Sequence, residues 1–122
     1  MKAILCKEYG PAGKLVIEDV PSPDVKGHGV KVRVKAAGLN FPDTLIIEGK
    51  YQLKPNMPFS PGGEMSGEVI GVGEKVTRFN VGDRVAGLTG YGAFAEEVVV
   101  PEQNLLPIPE GMSDEKAAAF TM

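Results

Sequence analysis

The sequence has one cysteine, Cys6, one histidine, His28, and no tryptophan. A lone cysteine excludes an intrachain disulfide, and the simple reading is a reduced, cytoplasmic protein. One thiol, one imidazole and scattered carboxylates do not supply a metal-ligand set, nor do Cys6 and His28, in ordinary strand and turn contexts, suggest a nucleophilic triad. His28, between Gly27 and Gly29, reads as a solvated turn residue. No apolar run approaches the roughly 20 residues that cross a bilayer. The start, MKAILCKEYG, has an unbroken apolar run of only four residues before Lys7, too few for a signal peptide. Lys and Arg form no run and the net charge is −3, which argues against nucleic acid as a partner. No internal repeat is visible.

What is present fits one compact domain. The chain has 122 residues, 43% of them hydrophobic and 24% charged, with 16 glycines and 10 prolines. That composition supports a core and suits many tight turns between short strands. KAILCK (2–7) and LVIEDV (15–20) read as two strands joined through the turn at 9–13. Pro21-Ser22-Pro23 ends the ladder. VKVRV (30–34) alternates apolar and basic residues, as a half-buried strand does. GEVIGV (67–72), DRVAGL (83–88) and AFAEEVVV (93–100) are further strands, followed by a short apolar piece at 105–109. Ser113, followed by acids, predicts a second helix running toward residue 122. Seven or eight strands with one or two short helices suggest a mainly β fold, a sandwich or a partly open barrel.

Between the strands lies GLNFPDTLIIEGKYQLKPNMPFSPGGEMSG (38–67), the one stretch that combines polar residues, a short helix signal and prolines. Asn40 is a good N-cap, Pro42 is tolerated in a first turn, and Asp43 suits the positive end of a helix. Phe41 and Leu45 share a face at i, i+4, and the helix ends near Gly49. Residues 50–61 form a proline-stiffened loop. Asn40, Asp43 and Tyr51 are the polar groups this segment could point one way. A tyrosine hydroxyl can give a proton or polarise a carbonyl, and an amide can orient the acceptor. Residue types alone are better served by a capping Asn40, a first-turn Asp43 and a Tyr51 packed on prolines. Gly71-Val72-Gly73 starts like a dinucleotide fingerprint, but Val76 replaces the third glycine and a strand follows. It reads as a turn.

The runs GLNFPDTLIIEGKYQ, PFSPGGEMSGEVIGVGEKVTRFNVGDRVAGL and GAFAEEVVVP, at these spacings, resemble the N-terminal part of the medium-chain dehydrogenase/reductase superfamily. The closest likeness is to its zinc-free NADPH:quinone oxidoreductase branch. The resemblance covers residues 1–122 in order. It implies a GroES-like, partly open β-barrel, the substrate-side catalytic domain, whose partner in the family is a Rossmann domain that binds NADPH. Asn40 stands where zinc-dependent relatives have a Cys ligand and Gly63 where they have a His, while Glu64 remains, so no metal is expected.

Carried over residue by residue, Asn40 matches an Asn near nicotinamide and substrate, with Phe41 beside it at the cofactor. Tyr51 matches a tyrosine proposed to donate a proton, and Asp43 an acid at the helix start beside the substrate. Leu45 stands where several quinone reductases carry another tyrosine. The resemblance thus favours the functional reading of Asn40 and Tyr51, with a quinone or an activated enone or enoyl C=C bond as hydride acceptor. It gives out in DEKAAAF, where the family's inter-domain helix begins. The expectation is therefore a catalytic domain without its cofactor domain, inactive alone and prone to self-associate through the apolar face around Ala117 to Phe120. The alternative is a stand-alone barrel acting as a binding or chaperonin-partner module, which needs a mobile apolar docking loop.

Overall fold

The computed structural model describes residues 1–120 of the chain. Seven strands carry the fold: β1 (Lys2–Leu5), β2 (Val16–Asp19), β3 (Gly29–Gly38), β4 (Glu64–Val72), β5 (Arg84–Leu88), β6 (Glu97–Pro101) and β7 (Leu105–Pro107). Two helices, α1 (Phe41–Ile47) and α2 (Asp114–Phe120), complete the described elements, together with 3-10 turns at Ala12–Lys14 and Glu102–Asn104. The strands form an antiparallel pair, β1–β2, and a five-stranded antiparallel sheet in the order β6-β3-β4-β5-β7. Both sheets stay open, with β6 and β7 as the edges of the larger. Single bridges at Ala3–Ala95 and Cys6–Phe59 stitch the N-terminal arm to the rest.

The alternation in VKVRV does what its period dictates: Val30 and Val32 point inward and are fully buried. They meet Met65, Val69, Val85, Val98, Val100 and Leu105 in the main core. β4 lies between β3 and β5 and is buried on both faces over its first half, because α2 packs across β3, β4 and β5. Ala117 and Ala118 supply the small side chains that let α2 sit close to the sheet. Ser66 Oγ donates to the Asp114 carbonyl at 2.6 Å, and Arg84 pairs with Asp114 at 3.0 Å, fixing the start of α2 on the strands below. As expected, Ser113 caps this helix, accepting from the Lys116 N–H at 3.2 Å. Thr121 and Met122, where the sequence reading continued the helix, lie outside the described residues.

Several boundaries differ from the expectation, each for a tertiary reason. β3 continues through Ala36-Ala37-Gly38, since β4 pairs with it as far as Gly38↔Glu64 across two register shifts. β4 accordingly begins at Glu64, ahead of the start expected at Gly67. Residues 93–96 are not strand; their main chain turns to the N-terminal arm and to Pro61 and Gly62 instead. In α1 the buried face is Asp43, Ile46 and Ile47, while Phe41 is 73% exposed. Leu45, on the same face, is half-buried. Half of the face around Ala117 to Phe120 is spent inside the domain, which leaves Phe120 exposed.

At Gly67 a Cβ would stand 2.1 Å from the Arg33 carbonyl oxygen and 2.8 Å from Val32 Cγ1. That close approach allows β3 and β4 to pair through the second register shift. Gly67→Ala is expected to destabilise the domain by about 1–3 kcal/mol through overpacking, read as a lower urea midpoint at unchanged slope.

Candidate functional site

The site is organised where β3 runs into α1. Seven residues of helix are marginal by themselves, so α1 is held by Ile46 and Ile47, which pack with Cys6 and Phe59 in a second core cluster. At its start, the Asn40 N–H donates to Asp43 Oδ2 at 2.8 Å, and the Asp43 N–H returns to the Asn40 carbonyl at 3.0 Å. Asp43 is 5% exposed and also accepts from the backbone N–H groups of Gly62 and Gly63. The acid is therefore more than a dipole partner: it ties the helix start to the PGGE turn.

Burial pushes the Asp43 carboxyl above the ordinary range, and the nearby Glu64 adds to this. The backbone donors from Asn40, Gly63 and Gly62 pull it partly back. Glu64, 3% exposed, takes the Asn40 side-chain amide: Nδ2 donates to Oε1 at 2.8 Å. A carboxylate that sequence reasoning noted only in passing is thus the partner of a predicted site residue. The available signal was its place directly after the two glycines.

Tyr51 is half-buried, with its ring against the α1 cluster. Lys54 Nζ donates to the Gly49 and Tyr51 carbonyls at 3.0 and 2.9 Å, holding the turn that presents the ring. Asp43 and Tyr51 share one hollow of about 340 Å³ with Pro42, Gln52, Leu53, Gly63, Leu88 and Gly90. Asn40 is not in that lining; it sits behind Asp43 and touches the hollow through it. Phe41 projects from the helix start into solvent and does not line the hollow. The structure therefore unites Asp43 with Tyr51 directly and Asn40 indirectly, and leaves Phe41 outside.

The floor is stiff. Thr89 donates through its N–H to Gly63 at 2.8 Å and through Oγ1 to Gly62 at 2.7 Å, and the Gly92 N–H reaches the Ser60 carbonyl at 2.7 Å. Phe59 exchanges two backbone hydrogen bonds with Cys6, at 2.7 and 3.2 Å, and its ring meets Tyr91 edge-on. A loop pinned in this way is a poor mobile docking arm, which argues against the chaperonin-partner alternative. Among the described residues no group of three or more His, Cys, Asp or Glu could hold a metal ion. His28 lies in a turn with its ring mostly exposed, as expected, and its Nδ1 also contacts the buried Glu102 carboxylate at 2.8 Å. Glu102 also accepts from the Thr77 and Arg78 N–H groups, and these bonds, His28's first, hold its carboxyl below the usual range. That pair braces turns far from the hollow.

Residues 26–110 match the model of the alcohol dehydrogenase GroES-like domain. A quinone oxidoreductase-like protein 2 homolog from Nematostella vectensis is 46% identical over 99% of this chain and 33% of its own length. The crystal structure of the human synaptic vesicle membrane protein VAT-1 homolog-like protein superposes with a TM-score of 0.95 at 38% identity, over 100% of this chain and 40% of that one. The Escherichia coli quinone oxidoreductase complexed with NADPH does so with a TM-score of 0.92 at 30% identity, over 98% and 36%. The chain spans about a third of the length of the curated relatives it matches.

The raised Asp43 carboxyl has a thermodynamic consequence. Its folded-state value lies above the unfolded one, so between the two the folded state binds more protons and stability falls as pH rises through that window. In paired urea titrations from pH 4 upward, the stability of the parent relative to Asp43→Asn is expected to decline with pH and then level off. A parallel pair of curves would contradict the buried, proton-hungry acid.

Proposed function

The chain belongs to the alcohol dehydrogenase GroES-like domain family and to the quinone oxidoreductase-like branch of the medium-chain dehydrogenase/reductase superfamily, and from that premise we propose that it forms the substrate-side half of a cytoplasmic, zinc-free, NADPH-dependent reductase. The acceptor is a quinone or an activated C=C bond. The observation that carries the reading is the joint lining of one hollow by Asp43 and Tyr51, with the Asn40 amide locked behind them.

NADPH, when bound, supplies the hydride. The residues here fit its nicotinamide end in chemistry: Phe41 exposes a ring at the first helical position, beside an amide whose nitrogen is already held by the protein. The remainder of the dinucleotide finds no phosphate-cradling glycine loop, since Gly71 and Val72 complete β4 and Gly73 enters a turn. Tyr51, whose hydroxyl makes no hydrogen bond to another described residue, is placed to donate a proton or polarise the acceptor's oxygen. Pro42, Leu53 and Leu88 supply apolar walls that suit a flat, weakly polar substrate and keep water away from it. Asn40 and Gly63 offer neither thiolate nor imidazole where a zinc ion would need them, which supports a zinc-free reaction. The exposed Leu88, Leu106 and Phe120 suit coverage by further protein, or self-association when it is lacking.

Titration calorimetry of the 122-residue chain alone is expected to show no saturable NADPH binding in the micromolar range; such binding would contradict a domain that holds only the nicotinamide end. When this domain is joined to the nucleotide-binding half of a quinone oxidoreductase relative, Tyr51→Phe should lower kcat roughly 100-fold with KM little changed. An unchanged kcat would remove Tyr51 from the chemistry.

A further inference from the structure

The junction of β3 and α1 holds one arrangement that the reaction reading leaves unexplained: a buried acid whose bond is to an amide. Glu64 is 3% exposed, in the middle of the sheet's packed half. Its carboxylate lies over Gly38, the residue opposite it in the β3–β4 register. A Cβ built on Gly38 would stand 1.9 Å from Glu64 Oε1 and 2.6 Å from its carboxyl carbon. The glycine therefore makes the room in which the acid lies down and reaches Asn40 Nδ2 at 2.8 Å.

Burying a carboxylate costs free energy, and an apolar residue of similar volume would often serve stability as well or better. What an apolar residue cannot do is distinguish the two ends of an asparagine side chain. A carboxylate accepts hydrogen bonds and does not donate them, so the Asn40 nitrogen turns toward Glu64 and Oδ1 turns away. The main chain of Asn40 is held independently, its N–H donating to Asp43 Oδ2 at 2.8 Å. Backbone and side chain are thus gripped by two different buried acids.

We propose that Glu64 is a positioning residue that sets the orientation of the Asn40 carboxamide, with Gly38 as the gap that admits it. This rests on the reading of Asn40 as a residue that meets cofactor and substrate. The Asn40 carboxamide then keeps one orientation in the folded chain, with Nδ2 held on Glu64.

The test reads the amide itself, on the 122-residue chain without cofactor or substrate. In a ¹⁵N-labelled sample the Asn40 side-chain NH₂ signal is assigned by its loss in Asn40→Ala. Glu64→Ala, and Gly38→Ala, which keeps the acid but drives it aside, should each speed exchange of those protons roughly tenfold or more. Each should also move the signal toward that of a free asparagine while backbone signals of β5 and β6 stay in place. Unchanged exchange and shift in either variant overturns the proposal. Should Glu64→Ala fail to fold, Glu64→Asp withdraws the carboxylate by one methylene and decides by the same criterion. The two readings fail separately. An unmoved amide removes Glu64's role and leaves the reaction standing, whereas undiminished turnover in Tyr51→Phe removes the reaction reading without touching the amide result.

Discussion

Two buried carboxylates that both accept from Asn40 set the terms for this domain. Asp43 and Glu64 are both nearly inaccessible to water, and an unpaired buried charge costs several kcal/mol. Their hydrogen bonds are therefore obligations that the surrounding backbone must meet. Asp43 draws in the N–H groups of Asn40, Gly62 and Gly63; Glu64 takes the Asn40 amide. Meeting those demands brings together the end of β3, the first turn of α1 and the start of β4. Three segments that are separate in sequence become one rigid corner.

The hollow inherits its shape from that corner. Tyr51 leaves α1 through a turn braced by Lys54, and the opposite wall, Leu88 to Gly90, is tied to the same glycines by Thr89. Rigid support beneath and exposed side chains above is the ordinary division of labour between scaffold and binding loop. The walls rise on one side only, where Gln52, Leu53, Leu88 and Gly90 reach solvent.

A good part of this was readable from residue order. The strict alternation of 30–34, the cap-and-proline start of α1 and the Ser113 cap each depend on forces that act within a few residues, and the elements stand where those forces put them. The misreadings share a different origin. Glu64, Met65 and Ser66 fall before the expected start of their strand, where an acid and a serine interrupt the apolar pattern, yet α2 covers their second face and buries them. The inward face of α1 carries Asp43, an acid that periodicity alone would not place there, beside Ile46 and Ile47. Residues 93–96 look like strand and are not, since the N-terminal arm and the PGG turn claim their hydrogen bonds.

By itself, then, the amino-acid order determined what local physics can: a mainly β chain, the two helix starts, and the segment on which polar chemistry would gather. Only the folded chain decided which groups meet. Asn40 and Glu64 are 24 residues apart, and their contact exists because β3 and β4 pair in the one register that sets Glu64 opposite Gly38. The absence of a side chain at Gly38 carries no pattern along the sequence. It acquires meaning only when another strand lays a carboxylate across it.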